Sequence, residues 1–146
     1  MIAKKRLRSY NQFLITTLLG LLLFIINGCA PKELVPPDLP PEQRAHIRGT
    51  VGGSVFAGAD IIAIDGEMLS SKNSAYILPG THTVRLQYNR PGGGGSVGPV
   101  ELQFEAEAGH EYRAKWHYSW SKSIYYFSIE DEKTGEVVVR GGETSP

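Results

Sequence analysis

Two stretches in the second half of the chain constrain its fold more than anything else. Over residues 100–108, Val100, Leu102, Phe104, Ala106 and Ala108 alternate with Glu101, Gln103, Glu105 and Glu107. Over residues 111–120, Tyr112, Ala114, Trp116, Tyr118 and Trp120 alternate with Glu111, Arg113, Lys115, His117 and Ser119. A period of two sends alternate side chains to opposite faces of a strand, apolar to one side and charged to the other. From His46 onward no helical stripe runs longer than a turn. Strands with one wet face and one apolar face need a second layer to cover the apolar side. If these two strands pair about Gly109 with like faces together, Glu105 meets Arg113 and Glu101 meets His117. Each such opposite-charge pair stabilises by ~0.2–1 kcal/mol.

The remaining strands are shorter and are bounded by turn residues. Residues 46–51 form a first strand ending at Gly52-Gly53, and residues 59–64 a second ending at the turn pair Asp65-Gly66. Residues 74–78 lead into Leu78-Pro79-Gly80-Thr81, where proline presets φ and glycine supplies φ > 0, as a type II turn requires. Over residues 81–89, His82, Val84, Leu86 and Tyr88 share one face. Residues 124–129 form another strand, Glu132-Lys133-Thr134-Gly135 a turn, and residues 136–140 the last strand, leaving 141–146 as a loose tail. Seven or eight short strands at this spacing predict an all-β fold, a small, largely antiparallel β-sandwich or barrel over residues 46–140.

What precedes the domain has a different character. Lys4, Lys5, Arg6 and Arg8 form a basic head, and Phe13 opens an almost wholly apolar run of 14 residues that ends at Ile26. That length suits the core of a secretory signal and falls short of the ~20 residues that span a bilayer as a helix. Residues 30–45 carry five of the nine prolines, interspersed with Lys32, Glu33, Asp38 and Glu42. Proline fixes φ and removes a donor, so an extended tether is expected there, reaching roughly 45 Å at ~3.1 Å per residue.

The junction Ile26-Asn27-Gly28-Cys29 resembles the lipobox of bacterial lipoproteins, with an aliphatic residue three before the cysteine and a small one directly before it. Asn27 stands where that family has a small or aliphatic residue. The resemblance implies lipid transfer to the Cys29 thiol, removal of residues 1–28 and acylation of the new terminus. It makes residues 29–45 a lipidated cysteine and tether, and membrane attachment through that lipid follows. Multiple acyl chains, at ~0.8 kcal/mol per buried methylene, hold a soluble domain permanently. Ala30 after the cysteine, by resemblance to sorting in two-membrane bacteria, implies the outer membrane with the domain in the periplasm. The residues leave two other readings open: a free thiol beside an ordinary cleavage site, and an uncleaved anchor over residues 7–26, against which Arg8, Asn11 and Gln12 stand.

Cleavage there leaves 118 residues, enough for one cored domain. It removes four cations, so 11 basic side chains remain against 15 acidic ones, a net charge of −4. That balance excludes general nucleic-acid binding, which needs a concentrated basic surface. Cys29 is the single cysteine, so no disulfide forms within the chain.

Residues 61–66 followed by Tyr76-Ile77-Leu78-Pro79-Gly80-Thr81-His82-Thr83-Val84 resemble the pattern of PEGA-like domains, small sandwiches of immunoglobulin- or transthyretin-like form on bacterial envelope proteins. The likeness covers roughly residues 61–88, and the Pro-Glu-Gly-Ala sequence itself is absent. Residues 104–139 are similar to small uncharacterised envelope lipoproteins. Both likenesses imply an accessory or binding role.

Patterns suggestive of chemistry are poorly placed. Gly94-Gly95-Ser96-Val97-Gly98 fits G-x-S-x-G, and Gly93, Gly95 and Gly98 fit G-x-G-x-x-G, but both motifs act at the start of a helix, and here Pro99 and a strand follow. His46, His82, His110 and His117 lack ligand partners at metal-site spacing. His82 is placed to cap its turn or pack at the core edge. No catalytic group, metal or cofactor is therefore expected, and a hydrolase is the least favoured reading. The aromatics Tyr112, Trp116, Tyr118, Trp120, Tyr125, Tyr126 and Phe127 are more numerous than one core face can hold. Tyr125 and Phe127 share parity with Ile129, so Tyr126 points the other way, and Trp120 ends its strand. Trp120 and Tyr126, beside Arg113 and Lys115, are the candidate partner-binding residues, suited to an envelope protein or to peptidoglycan. The expected function is a non-enzymatic interaction or accessory module on a lipid anchor, with a cell-wall carbohydrate-binding module as the alternative.

Overall fold

The alternating stretches form strands, but in two different sheets. The computed structural model describes residues 31–50, 58–69, 73–89 and 96–144. Ten strands follow in chain order: β1 (Lys32–Glu33), β2 (Ala45–Arg48), β3 (Gly58–Ile64), β4 (Glu67–Met68), β5 (Ser74–Ile77), β6 (Gly80–Asn89), β7 (Ser96–Ala106), β8 (Glu111–Ser119), β9 (Ile124–Asp131) and β10 (Val137–Thr144). One sheet has the order β1-β5-β2-β8-β9-β10 and the other β4-β3-β6-β7. Pairing is antiparallel except for β1 with β5 and β2 with β8. The fold is thus an all-β, two-sheet sandwich, with ten strands among the described residues rather than seven or eight. The two extra strands, β1 and β4, have two residues each, too few to show a period.

The core is the apolar parity of both sheets: Ile47, Ile77, Tyr112, Ala114, Phe127 and Ile129 from the larger, and Ile61, Ile64, Val84, Leu86, Leu102 and Phe104 from the smaller. Fully burying one such large side chain contributes about 1.5–3 kcal/mol. Asp65 and Gly66 both have positive φ, at 50° and 83°, and form the two-residue loop between β3 and β4. Gly80, at φ 128°, carries the chain from β5 in one sheet to β6 in the other.

Three expectations are corrected. First, β7 and β8 do not pair about Gly109. β7 pairs with β6, and β8 lies between β2 and β9. Glu101 stands opposite Arg85, Glu105 accepts a hydrogen bond from Thr81 Oγ1 at 2.5 Å, and Arg113 meets Glu132 at 2.7 Å. Like faces do meet, but across the core, where the Phe104 and Tyr112 rings contact edge-on at 5.0 Å. Alternation fixes which face is buried and leaves open whether a strand's neighbour lies beside it or opposite it.

Second, the proline-rich stretch is docked on the domain from Lys32 onward. β1 pairs with β5, Leu34 N donates to Tyr76 O at 3.1 Å, and Val35 is buried. Lys32 Nζ reaches across to the other sheet, to Glu67 Oε2 at 2.8 Å and Met68 O at 2.7 Å. Residues Pro41–Gln43 form a 3₁₀ turn, and Arg44 bonds Glu33 while lying 3.9 Å from the Tyr76 ring centre. Leu34 and Val35 supply an apolar grip that the surrounding prolines obscure.

Third, the expected loose tail from Gly141 continues β10 to Thr144. A Cβ on Gly142 would lie 2.1 Å from Val100 Cγ1, and one on Gly141 2.9 Å from Leu102 Cδ2. These glycines admit the close approach of β10 to β7.

Candidate functional site: the aromatic end of the sandwich

β8 and β9 pair as Trp116↔Phe127, His117↔Tyr126, Tyr118↔Tyr125 and Ser119↔Ile124. On the inner face the aromatics form a chain of contacts that leads out of the core. Tyr88 of β6 lies 4.4 Å from Trp116 and 5.4 Å from Tyr125, ring centre to ring centre. Tyr118 follows at 4.8 Å from Tyr125, and Trp120 sits edge-on to Tyr118 at 4.7 Å. Burial falls along this series: Phe127 is fully buried, Trp116, Tyr118 and Tyr125 are half-buried, and Trp120 is 86% exposed. An open cavity of about 520 Å³ is lined by Trp116, His117, Tyr118, Trp120 and Tyr125.

The outer face of the same strands is polar. Tyr126 stacks on His117 at 4.7 Å and 12°, and the Arg140 guanidinium lies 3.8 Å from its ring centre. His117 Nε2 is 2.8 Å from Ser128 Oγ. Burial lowers the pKa of His117; Glu130 opposes the shift, while Lys115 and Arg140 reinforce it. A neutral imidazole can both donate and accept a hydrogen bond. Lys115 pairs with Glu130, and Glu132 binds both Arg113 and Arg48.

The four sequence candidates therefore divide. Trp120 stands at the tip, exposed as its strand-end position suggests. Tyr126 takes the opposite parity to Phe127, as expected, and shares the outer face with Arg113 and Lys115, whose charges are already paired. His117 joins the two regions, since it lines the cavity and stacks on Tyr126. Sequence reasoning missed His117, Tyr118 and Arg140. The first two sit in the alternating stretch and were legible as neighbours of Trp120. Nothing local marks Arg140.

The other histidines hold structure together. His82 Nε2 donates to Leu78 O at 2.7 Å, capping its turn, and Nδ1 lies 2.6 Å from Asp65 Oδ2. Asp65 also accepts from Thr83 N, so the Asp-Gly turn and the Leu-Pro-Gly turn are tied together through one side chain. Burial raises the Asp65 pKa, but the Thr83 amide and His82 outweigh it and the net shift is downward. His110 holds Asp131, and His46 stacks on Tyr76 at 4.7 Å. Among the described residues no three His, Cys, Asp or Glu side chains come together as a metal site, and no helix is long and apolar enough to cross a membrane. Ser96 of the G-x-S-x-G match opens β7, a strand; residues 92–95 and Cys29 lie outside the described residues. No protein-family model, curated protein or solved structure matches the chain.

Proposed function

We propose that this chain is a lipid-anchored lipoprotein of the cell envelope, held to the outer membrane through Cys29, with its sandwich in the periplasm as a non-enzymatic interaction module. The basic head, the short apolar run and Ile26-Asn27-Gly28-Cys29 support the anchor. A non-enzymatic role is favoured by what His82 and His110 do: each is engaged by a carboxylate that fastens a turn. The observation that carries the interaction role is Tyr126, presented on the outer face between His117 and Arg140. An aromatic flanked by a guanidinium, beside rows of paired charges, is the composition of an interface anchor.

Crosslinking in the native envelope through a photoreactive residue at position 117 or 140 tests this. Capture of a defined partner that is lost in Tyr126→Ala, at unchanged thermal stability, is the expected result. Equal capture by wild type and variant would remove the outer face from consideration. The exposed indole of Trp120 over an aromatic cavity favours a second reading, a cell-wall glycan stacked on the ring. Sedimentation with purified peptidoglycan separates the two, because only the glycan reading predicts retention that Trp120→Ala abolishes.

A further inference from the structure

We propose that the outer face of the six-stranded sheet is a twofold interface between two copies of this chain. The proposal rests on the outer-face reading above and commits its partner to a second copy. Two stacks of one composition stand on that face. Tyr76 lies 4.7 Å from its cross-strand neighbour His46, with the Arg44 guanidinium 3.9 Å from the tyrosine ring centre. Tyr126 lies 4.7 Å from its cross-strand neighbour His117, with the Arg140 guanidinium 3.8 Å from the ring centre. Of the six arginines beyond residue 30, four are on this face: Arg44, Arg48, Arg113 and Arg140. Tyrosine and arginine are the side chains that concentrate in interfaces and supply most of their binding energy.

The placement of the stacks suits the face to a copy of itself. His46 stands level with Glu111 on the parallel strands β2 and β8, and His117 lies six residues farther along β8. At ~3.3 Å per residue and ~4.8 Å per strand, the two imidazoles are about 20 Å apart. Tyr76 on β5 and Tyr126 on β9 flank the β2–β8 pair on opposite sides. Consider a twofold axis that lies along the face, midway between the stacks and perpendicular to the line joining them. It brings the first stack of each copy onto the second stack of the other. Such an interface uses the same patch on both copies and closes at two.

Charge selects a second copy as the occupant. Among the described residues, the four arginines and Lys115 share the face with four carboxylates, Glu33, Glu111, Glu130 and Glu132. Residues 31–146 contain 11 basic and 15 acidic side chains, which leaves 6 basic and 11 acidic ones for the remainder. Two copies repel one another through that acidic excess. The outer face is near balance instead, and its interspersed signs can match those of a copy turned to meet it. A strongly acidic or strongly basic partner would find no such match. The strands from β5 to β10 cover roughly 19 Å by 26 Å, or ~500 Å² per copy and ~1,000 Å² in all. That is the low end for a specific interface, so the pairing is expected to be reversible and dependent on concentration.

The test uses the full chain in excess detergent, half of it labelled with ¹⁵N, with a photoreactive residue at position 74. Ser74 is half-buried on the outer face of β5, two residues from Tyr76. Illumination should join light and heavy copies, with residue 74 of one linked to the β8–β9 hairpin of the other, in a yield that rises with protein concentration. Tyr76→Ala and Tyr126→Ala should each lower that yield severalfold when present alone. Mixed with each other they should recover much of it, because the mixed pair keeps one intact stack on another. Two misfolded variants would not restore each other, so the recovery separates binding from folding. Suppose no mixed-isotope pair forms, yet Tyr126 is still needed to capture a different protein in the envelope. Then a second copy is the wrong partner and the outer-face reading stands. Capture of neither kind overturns both. Linkage of residue 74 to β5 of the other copy, or variants that fail to complement, overturns the twofold arrangement.

Discussion

Asp131 is 4% exposed, and both of its oxygens are engaged. Oδ1 accepts from Lys133 N at 2.7 Å and Thr134 N at 3.2 Å, and Oδ2 lies 2.5 Å from His110 Nδ1. Burial raises its pKa, but His110 and the two amides outweigh it and the carboxyl titrates below its usual 3.8. A lowered acid pKa stabilises the fold above the unfolded value, and that contribution is lost as pH falls through the folded one. Asp131→Ala should cost about 1–3 kcal/mol in urea denaturation at neutral pH, since it strands the amides it caps. The gap to wild type should close once the pH falls below the carboxyl's titration. His46 has the same sign at higher pH. Burial lowers its pKa, Glu111 opposes this, and Nε2 has no hydrogen-bond partner among the described residues. Its stabilising share is complete above 6.5 and declines as pH falls from there. His46→Phe keeps a ring against Tyr76 and should flatten the melting-temperature slope between about pH 7 and 5, leaving the part due to His117. An unchanged slope would rule His46 out as its source.

At the scale of elements, the glycines separate two effects. Gly135 has φ 76° with nothing within 4 Å of an added Cβ, whereas Gly142 has φ 71° and Val100 Cγ1 at 2.1 Å. Gly135→Ala should cost only the left-handed backbone term, ~1–2 kcal/mol. Gly142→Ala should add an overpacking cost of about 1–3 kcal/mol as β10 is pushed from β7. Equal losses in chemical denaturation would show that β10 and β7 do not approach closely in solution. Glycine is read locally as looseness, and this pair shows why the reading fails: what a missing Cβ makes room for is visible only when the opposing strand is present. The same limit explains the mistaken β7–β8 pairing. Residues 100–108 and 112–120 announced their buried faces clearly, and face-to-face stacking satisfies that pattern as well as side-by-side pairing does.

For the molecule as a whole, the aromatic end and the core make opposite demands on one hairpin. Trp120→Ala should leave the melting temperature unchanged, while Trp116→Ala, packed on Tyr88, should cost about 1.5–3 kcal/mol. Equal effects would mean that the exposure of Trp120 is not kept in solution. The sequence by itself determined the strand periods, the Asp65-Gly66 and Pro79-Gly80 turns, and the opposed parities of Tyr126 and Phe127, because each depends on residues a few positions apart. The tertiary structure alone decided which sheet each strand joins, that Leu34 and Val35 dock the proline-rich stretch, and that Glu132 neutralises Arg113. Those outcomes depend on partners distant in sequence, and no local pattern encodes a partner's position.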